Sequence, residues 1–427
     1  MSDWLSHSAD RAPGALAVRA PEGDVTYAEL AEGAARAAGR LAAHGVRRGD
    51  RVAVTLAPGR AFAELLHAMP LLGTVLVPLN TRLSAAELRA QVEQAAPRIV
   101  VEEPLDGPGA ELPAQPGAAP GDAFTLLFTS GSTARPKPVV LTYANHAASA
   151  AASHANLPLG PDDRWLCVLP LFHVGGLAIL VRCAIAGACA VVHDGFHADA
   201  VRRSLESGEA TLASLVPTML RRLAAAGLRE APALRAALLG GGPIPRDLLD
   251  WARAHGIPVL PTYGMTETAS QVVTGDGPLP GVELRIGPGG EILLRGPMVS
   301  EGALAADGWL HTGDRGSLDP AGRLHVEGRL KEVIVTGGEN VSMAEVEEAL
   351  LAHPAVADAG VAGRPDTEWG EVVVAHVVVA GDVSDHDLAA HCRALLAGYK
   401  VPKAFVRHES LPRNAAGKLL RGRLSAV

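Results

Sequence analysis

Four short segments carry residue types and spacings that could do chemistry. In Phe128-Thr-Ser-Gly-Ser-Thr-Ala-Arg-Pro-Lys-Pro138 a strand runs into a loop of small hydroxyl residues with one glycine and a lysine. Backbone N–H groups and hydroxyls in such a loop can surround phosphate oxygens, and Lys137 adds a point charge. The loop is not the GxxxxGK[ST] phosphate loop of kinases and GTPases. Tyr263-Gly-Met-Thr-Glu267 holds an aromatic ring suited to a flat base, a hydroxyl suited to a phosphate and a carboxylate suited to Mg²⁺ within one turn. Asp314, in Thr312-Gly-Asp314, and Arg329 fifteen residues on suit the two hydroxyls of a ribose. Leu411-Pro-Arg-Asn-Ala-Ala-Gly-Lys418 ends on a lysine near the C-terminus. Taken singly, each has an ordinary structural reading: a polar turn, a turn before a helix, a surface loop with an ion pair, a solvated charge.

The elements that must position these residues follow from the hydrophobic pattern. The first hundred residues alternate helix and strand. Thr26-Tyr-Ala-Glu29 is a capping box opening a helix that ends near Gly45, and Ser84-Ala-Ala-Glu87 caps another. Residues 51–56, 75–79 and 98–102 read as strands, with a helix over 60–72. This rhythm predicts a mostly parallel sheet covered by helices. Residues 104–120, rich in Pro, Gly and Ala, read as a surface loop. A strand at 123–128, a polar turn and a helix through 145–155 follow, with strands near 188–193 and 213–216. From about Gly281 short strands joined by Gly and Pro turns resemble a small β-barrel subdomain. After Arg329 a third capping box, Ser342-Met-Ala-Glu345, opens a compact α+β unit of about one hundred residues.

At 427 residues and net charge −8, the chain is long enough for two or three domains and has no general attraction for nucleic acid or anionic membrane. Any phosphate it binds must be held by a local site. Only five of the 38 basic residues are lysine, namely Lys137, Lys331, Lys400, Lys403 and Lys418. Where arginine supplies every generic positive charge, a remaining lysine marks a need for a compact, mobile ammonium. Cys167, Cys183, Cys189 and Cys392 form no CxxC pair and read as buried hydrophobes in a reducing compartment. The N-terminal stretch has no signal-peptide pattern, and the most apolar stretch, 166–192, is too interrupted to span a membrane. A cytoplasmic protein is expected.

Together, in this order and spacing, the four segments resemble the core motifs of the adenylate-forming superfamily of acyl-CoA synthetases, luciferases and peptide-synthetase adenylation domains. The resemblance covers about Asp24 to Leu424. It implies an α/β fold with a large N-terminal domain over 1–329, made of two α/β subdomains and a small β-barrel subdomain. A small mobile α+β C-terminal domain over 332–427 follows, with the hinge at Lys331. The family roles then fall residue by residue. Thr129, Ser130, Gly131, Ser132, Thr133 and Lys137 match the loop for the β- and γ-phosphates of ATP. Gly240, Gly241, Gly242 and Pro243 match the adenine-pocket segment. Tyr263, with Gly264, resembles the residue stacking on adenine, Thr266 the α-phosphate contact and Glu267 the Mg²⁺ ligand. Asp314 and Arg329 match the ribose pair, and Lys418 the lysine that assists adenylation. The implied co-substrates are ATP, with Mg²⁺, and coenzyme A. The sequence departs from the family at Ala134 and Pro138, where glycine is usual, and in shortened stretches at 271–283 and 297–309.

The segment Trp165–Leu177, with Arg182 beyond it, matches the wall of the family's acyl pocket. Amino-acid-activating members carry an aspartate here for the α-amine. This chain has His173 and Gly175, and no acid between Asp163 and Asp194. Thr262–Gln271 and Leu411–Ala415 look most like the o-succinylbenzoate–CoA ligases of menaquinone biosynthesis. That substrate carries two carboxylates, and the one not activated needs a cationic or hydroxyl partner. Arg182 and Ser270 are the candidates, although Arg182 could equally make a structural ion pair and His173 could be a satisfied core histidine. The alternatives are another aryl- or acyl-CoA ligase, and a catalytically silent nucleotide-binding relative, which the presence of Glu267, Asp314, Arg329 and Lys418 disfavours.

Overall fold

The computed structural model describes residues 4–83, 85–110, 112, 118–129, 136–242, 244–275, 277–330, 333–336, 339–366, 369–396, 398–413 and 419–424. The chain divides into two compact units, one of Met1–Glu283 with Leu294–Leu310 and one of Leu284–Leu293 with His311–Val427.

The first unit is built on two sheets. A five-stranded sheet has the order Ile99–Val101, Arg51–Val54, Val75–Pro78, Ala123–Thr129, Lys137–Thr142. A nine-stranded sheet has the order Gly277–Pro278, Ser270–Thr274, Val259–Met265, Ala236–Leu239, Leu212–Leu215, Arg164–Cys167, Cys189–Val192, Leu16–Ala20, Gly23–Thr26. Its central strands are parallel, and Leu212–Leu215, Ala236–Leu239 and Cys189–Val192 are buried at every residue. Continuous apolar runs are what strands covered on both faces require.

The predicted alternation holds, with the Thr26–Glu29 capping box formed as expected and the helix at Arg60–Leu72. Ser84 of the second box lies outside the described residues. One difference matters for the site. The polar segment after residue 129 does not lead directly into a helix. Lys137–Thr142 first returns antiparallel to Ala123–Thr129, pairing Thr129 with Lys137, and the helix Tyr143–Asn156 follows. Pro138 removes a backbone donor, which is tolerated because its strand is at the sheet edge.

Chain direction creates a crevice in the large sheet. From Arg164–Cys167 the chain crosses to Cys189–Val192 on one side; from adjacent, parallel Leu212–Leu215 it crosses to Ala236–Leu239 on the other. Divergence of neighbouring connections opens a binding crevice at the strands' carboxyl ends. Residues 168–173, 216–217, 240–242 and 262–268 all leave the sheet at or beside that edge.

The helix Val174–Ala186 starts at this edge and is almost wholly buried, with Arg182 its single charged residue. Its C-terminal carbonyls are held by distant residues. Ser8 donates to Ala184 at 2.7 Å, Arg11 to Ala186 at 3.3 Å, and the Tyr27 hydroxyl lies 2.8 Å from the Cys183 carbonyl. Gly187 ends the helix in the left-handed conformation at φ 76°. Orphan carbonyls buried without partners cost roughly 1–3 kcal/mol each, so these contacts fix the helix along its axis.

The second unit contains most of a four-stranded sheet, ordered Glu283–Ile286, Glu291–Arg295, Leu310–Leu318, Leu324–Arg329. It also contains a five-stranded sheet around the long hairpin Val356–Asp366 and Gly370–Val379. Helices Met343–Leu351 and Asp385–Leu395 cover it over a core that includes Ile334, Val361, Val377 and Leu388. Ser342 caps the first of these helices through the Glu345 N–H, as its spacing predicts.

All four cysteines are free and buried, and among the described residues no helix is long and apolar enough to cross a membrane.

Candidate active site

The phosphate segment is flanked by two antiparallel strands, Ala123–Thr129 and Lys137–Thr142. Thr129 and Lys137 face each other across the antiparallel ladder, and the Thr129 hydroxyl donates to the Lys137 carbonyl at 3.2 Å. The ladder delivers the exposed Lys137 side chain opposite the incoming strand. Ser130, Gly131, Ser132 and Thr133 between these strands in sequence lie outside the described residues, as do Pro243, Lys331 and Lys418.

Gly240 follows the buried strand Ala236–Leu239 and packs directly on the next strand. A Cβ there would lie 2.5 Å from the Thr262 carbonyl oxygen, so only glycine permits this approach. Gly240 therefore borders the segment that carries Tyr263, whereas Gly241 faces Val216 and Gly242 open space. That segment is a strand through Met265, paired antiparallel with Ser270–Thr274 and irregular between Tyr263 and Gly264. A Cβ on Gly264 would sit 2.2 Å from the Ser270 carbonyl. A short 3₁₀ turn, Thr266–Thr268, joins the strands. The expected turn before a helix is thus a tight β-hairpin.

The hairpin turn is held from several sides. Thr268 receives the Met265 N–H at 3.1 Å and donates to the Ser270 carbonyl at 2.7 Å. The Ser300 N–H donates to the Glu267 carbonyl at 2.7 Å. Ala269 and Ser270 both have positive φ, 51° and 110°, a conformation that non-glycine residues keep only where surroundings over-determine it. The Glu267 and Thr266 side chains are half-buried, and among the described residues the Glu267 carboxylate makes no ion pair. A carboxylate oxygen presented this way suits a hard divalent cation such as Mg²⁺.

On the acyl side, His173 sits at the N-terminal cap of Val174–Ala186, with Gly175 in the first turn. Burial, with the Arg82 charge nearby, lowers the His173 pKa to about 4, so the ring is neutral at pH 7. Two turns deeper lies Arg182, only 5% exposed. Its Nη2 donates to the Ser149 hydroxyl at 3.2 Å, its guanidinium carbon lies 5.8 Å from the Trp165 ring centre, and its Nε is buried without a hydrogen-bond partner. No carboxylate pairs with it among the described residues. Burial pulls its pKa down to about 10, which leaves the cation intact at neutral pH. The structural ion pair open to it on sequence grounds does not form among those residues. Arg182 does not bond Ser270 directly. It reaches Ser149, whose hydroxyl donates at 2.8 Å to the carbonyl of Ala269, the residue before Ser270.

In the second unit Asp314 and Arg329 are cross-strand partners. Arg329 Nε lies 2.8 Å from Asp314 Oδ1, and its Nη1 donates to the Thr312 carbonyl at 3.2 Å. The Asp314 N–H donates to the Thr312 hydroxyl, which donates to the Ile292 carbonyl at 2.7 Å. The sequence distance of fifteen residues is thus the return length of a hairpin, not of a surface loop.

Sequence reasoning passed over Asn145, Ser149 and Ser153. The signal was present as polar residues at i, i+4 and i+8, one face of the helix Tyr143–Asn156. In an alanine-rich stretch it reads as a solvated face, yet all three are buried.

The chain matches the AMP-binding enzyme family over residues 5–114 and 102–304, and the AMP-binding enzyme C-terminal domain over residues 345–418. It belongs to the AMP-binding enzyme family and has the adenylate-forming fold. It is 40% identical to the 2-succinylbenzoate–CoA ligase of Bacillus licheniformis, with 99% of each chain covered. Its structure matches that of o-succinylbenzoate CoA synthetase from Bacillus subtilis in complex with the acyl-adenylate intermediate at a TM-score of 0.95, with 37% identity over 100% of this chain and 98% of that one. The TM-score is 0.93 to the same synthetase in complex with ATP and magnesium ion, with 38% identity over 99% of each chain.

Proposed function

We propose that this chain is an ATP-dependent acid–CoA ligase of menaquinone biosynthesis, acting in the cytoplasm on o-succinylbenzoate as a small-molecule substrate, with no nucleic-acid partner. A carboxylate is a poor acyl donor, because its leaving group would be oxide. Attack of the carboxylate on the α-phosphorus of ATP gives an acyl-AMP and pyrophosphate, and the leaving group becomes AMP. Attack of the coenzyme A thiol on the acyl carbon then gives the thioester. The first step builds charge on phosphate oxygens; Thr266 and Lys418 counter it, and Glu267 would hold a Mg²⁺ that adds to this when bound. Lys137 and the hydroxyl loop from Thr129 to Thr133 hold the β- and γ-phosphates. Gly240 to Pro243 and Tyr263 flank adenine, and the Asp314–Arg329 pair receives the ribose. A C-terminal domain turning about Lys331 exchanges one wall of the site for another between the two steps.

One observation carries the choice of a dicarboxylate. Arg182 is a buried cation with no carboxylate among the described residues and an unpartnered Nε. A buried charge is kept in a fold at considerable cost unless a counter-charge meets it. The second carboxylate of o-succinylbenzoate is such a counter-charge, and Ser270 lies one residue from the carbonyl that the Arg182 partner holds. His173 and Gly175 line the acyl side at the helix entry.

Purified protein with ATP, Mg²⁺, coenzyme A and o-succinylbenzoate should release AMP and yield a thioester of the expected mass, and omission of coenzyme A should leave an acyl-AMP. AMP release with other acids but none with o-succinylbenzoate overturns the substrate.

A further inference from the structure

The helix Tyr143–Asn156 follows the phosphate hairpin and presents Asn145, Ser149 and Ser153 one turn apart on a buried face. Each bonds a different part of the site. Asn145 Nδ2 donates to the Pro297 and Val299 carbonyls at 2.9 and 3.1 Å, beside the Ser300 that holds Glu267. Ser153 accepts from Gln271 Nε2 at 2.9 Å. Between them, Ser149 alone touches both the acyl side and the nucleotide motif: it accepts from Arg182 Nη2 and donates to the Ala269 carbonyl. It is only 2% exposed, so both bonds lie in the core.

We infer that Ser149 is a positioning residue for the reaction. Its hydroxyl ties the Arg182 guanidinium to the strained Ala269–Ser270 backbone, so that the cation for the acid keeps a fixed place relative to Thr266 and Glu267. This rests on Arg182 meeting the second carboxylate. A hydroxyl has one proton, and here it goes to Ala269; its lone pair serves Arg182. Alanine at 149 removes both contacts at once. The guanidinium then loses its polar anchor in the core, and the Ala269 carbonyl loses one of the bonds that hold the positive-φ pair.

The test measures kcat and KM for acyl-AMP formation with o-succinylbenzoate and with an analogue lacking the second carboxylate. The proteins are the wild type, Ser149→Ala, Arg182→Ala and the double variant. Ser149→Ala should raise KM for the dicarboxylate at least tenfold and for the analogue less than threefold. It should lower kcat at least fivefold with both acids. In the Arg182→Ala background the KM effect of Ser149→Ala should vanish while the kcat effect persists. A role confined to packing would leave the ratio of the two KM values unchanged, and that result, or an unchanged kcat, overturns the inference. If Arg182→Ala itself does not alter the KM ratio, the carboxylate reading falls. If it does and Ser149→Ala does not, the Ser149 inference alone falls. Should Ser149→Ala fail to fold, Ser149→Cys, which keeps the volume with a weak donor, is read by the same criteria.

Discussion

Asp314 and Arg329 face each other across an antiparallel ladder, with 2.8 Å between Nε and Oδ1 and the carboxylate only 7% exposed. In the proposed ribose site, this acid, held by the Arg329 guanidinium, would accept hydrogen bonds from a vicinal diol. Asp314→Asn keeps the shape and removes the charge. Hydrogen bonds to charged groups contribute about 1.5–3 kcal/mol, so KM for ATP should rise by roughly one to two orders of magnitude. KM for the acid should stay within about twofold. A variant with wild-type KM for ATP removes the ribose role.

Lys418 should matter for the first half-reaction and not the second. It is one of five lysines in an arginine-rich chain, and in the proposed role its ammonium would stabilise charge that appears only as the acyl-AMP forms. Lys418→Ala should slow acyl-AMP formation by about two orders of magnitude or more, some 3 kcal/mol. Supplied with preformed acyl-AMP, the variant should still make the thioester at a substantial rate. Equal losses in both half-reactions would remove the role.

His146 gives a stability signature. It is buried beside Phe124, with its Nε2 2.9 Å from the Thr125 hydroxyl. Burial, aided by the Arg182 charge, lowers its pKa from 6.5 to about 3. The folded state therefore holds a neutral ring where the unfolded chain takes up a proton. This stability is present above pH 6.5 and is lost as pH falls toward 3, amounting to about 2 kcal/mol by pH 5. Denaturant unfolding at pH 7 and 5 should lose that much more in the wild type than in His146→Gln. Parallel losses in the two proteins would show that His146 does not titrate as described.

Much of this was legible in the sequence, and what was not has physical reasons. Strands such as Cys189–Val192 and the Thr26–Glu29 cap announce themselves because burial on both faces and local hydrogen bonding leave a local pattern. Lys137–Thr142 escaped because its Pro138 argues against a strand unless the strand is known to lie at an edge, and edge position is a tertiary fact. Thr312-Gly-Asp314 reads as a loop since its glycine, at φ 68°, sits within a strand that is irregular after Arg315. Asn145, Ser149 and Ser153 were spaced for one helix face, yet periodicity cannot tell a wet polar face from one that bonds the backbone of a distant hairpin. The lack of an ion pair at Arg182 among the described residues depended on which acids the fold brought near, and no spacing rule reports that.

If the buried Arg182 selects a dicarboxylic acid, the ratio of kcat/KM for o-succinylbenzoate to that for a monocarboxylate analogue reports it. Leaving the second carboxylate unpaired costs several kcal/mol, so the wild type should favour the dicarboxylate by about two orders of magnitude or more. In Arg182→Ala this ratio should collapse toward one through a higher KM for o-succinylbenzoate, with KM for ATP nearly unchanged. A wild-type preference for the monocarboxylate would contradict selection by Arg182 and leave a general acyl- or aryl-CoA ligase in its place. A dicarboxylate preference that survives intact in Arg182→Ala would contradict the role given to that arginine.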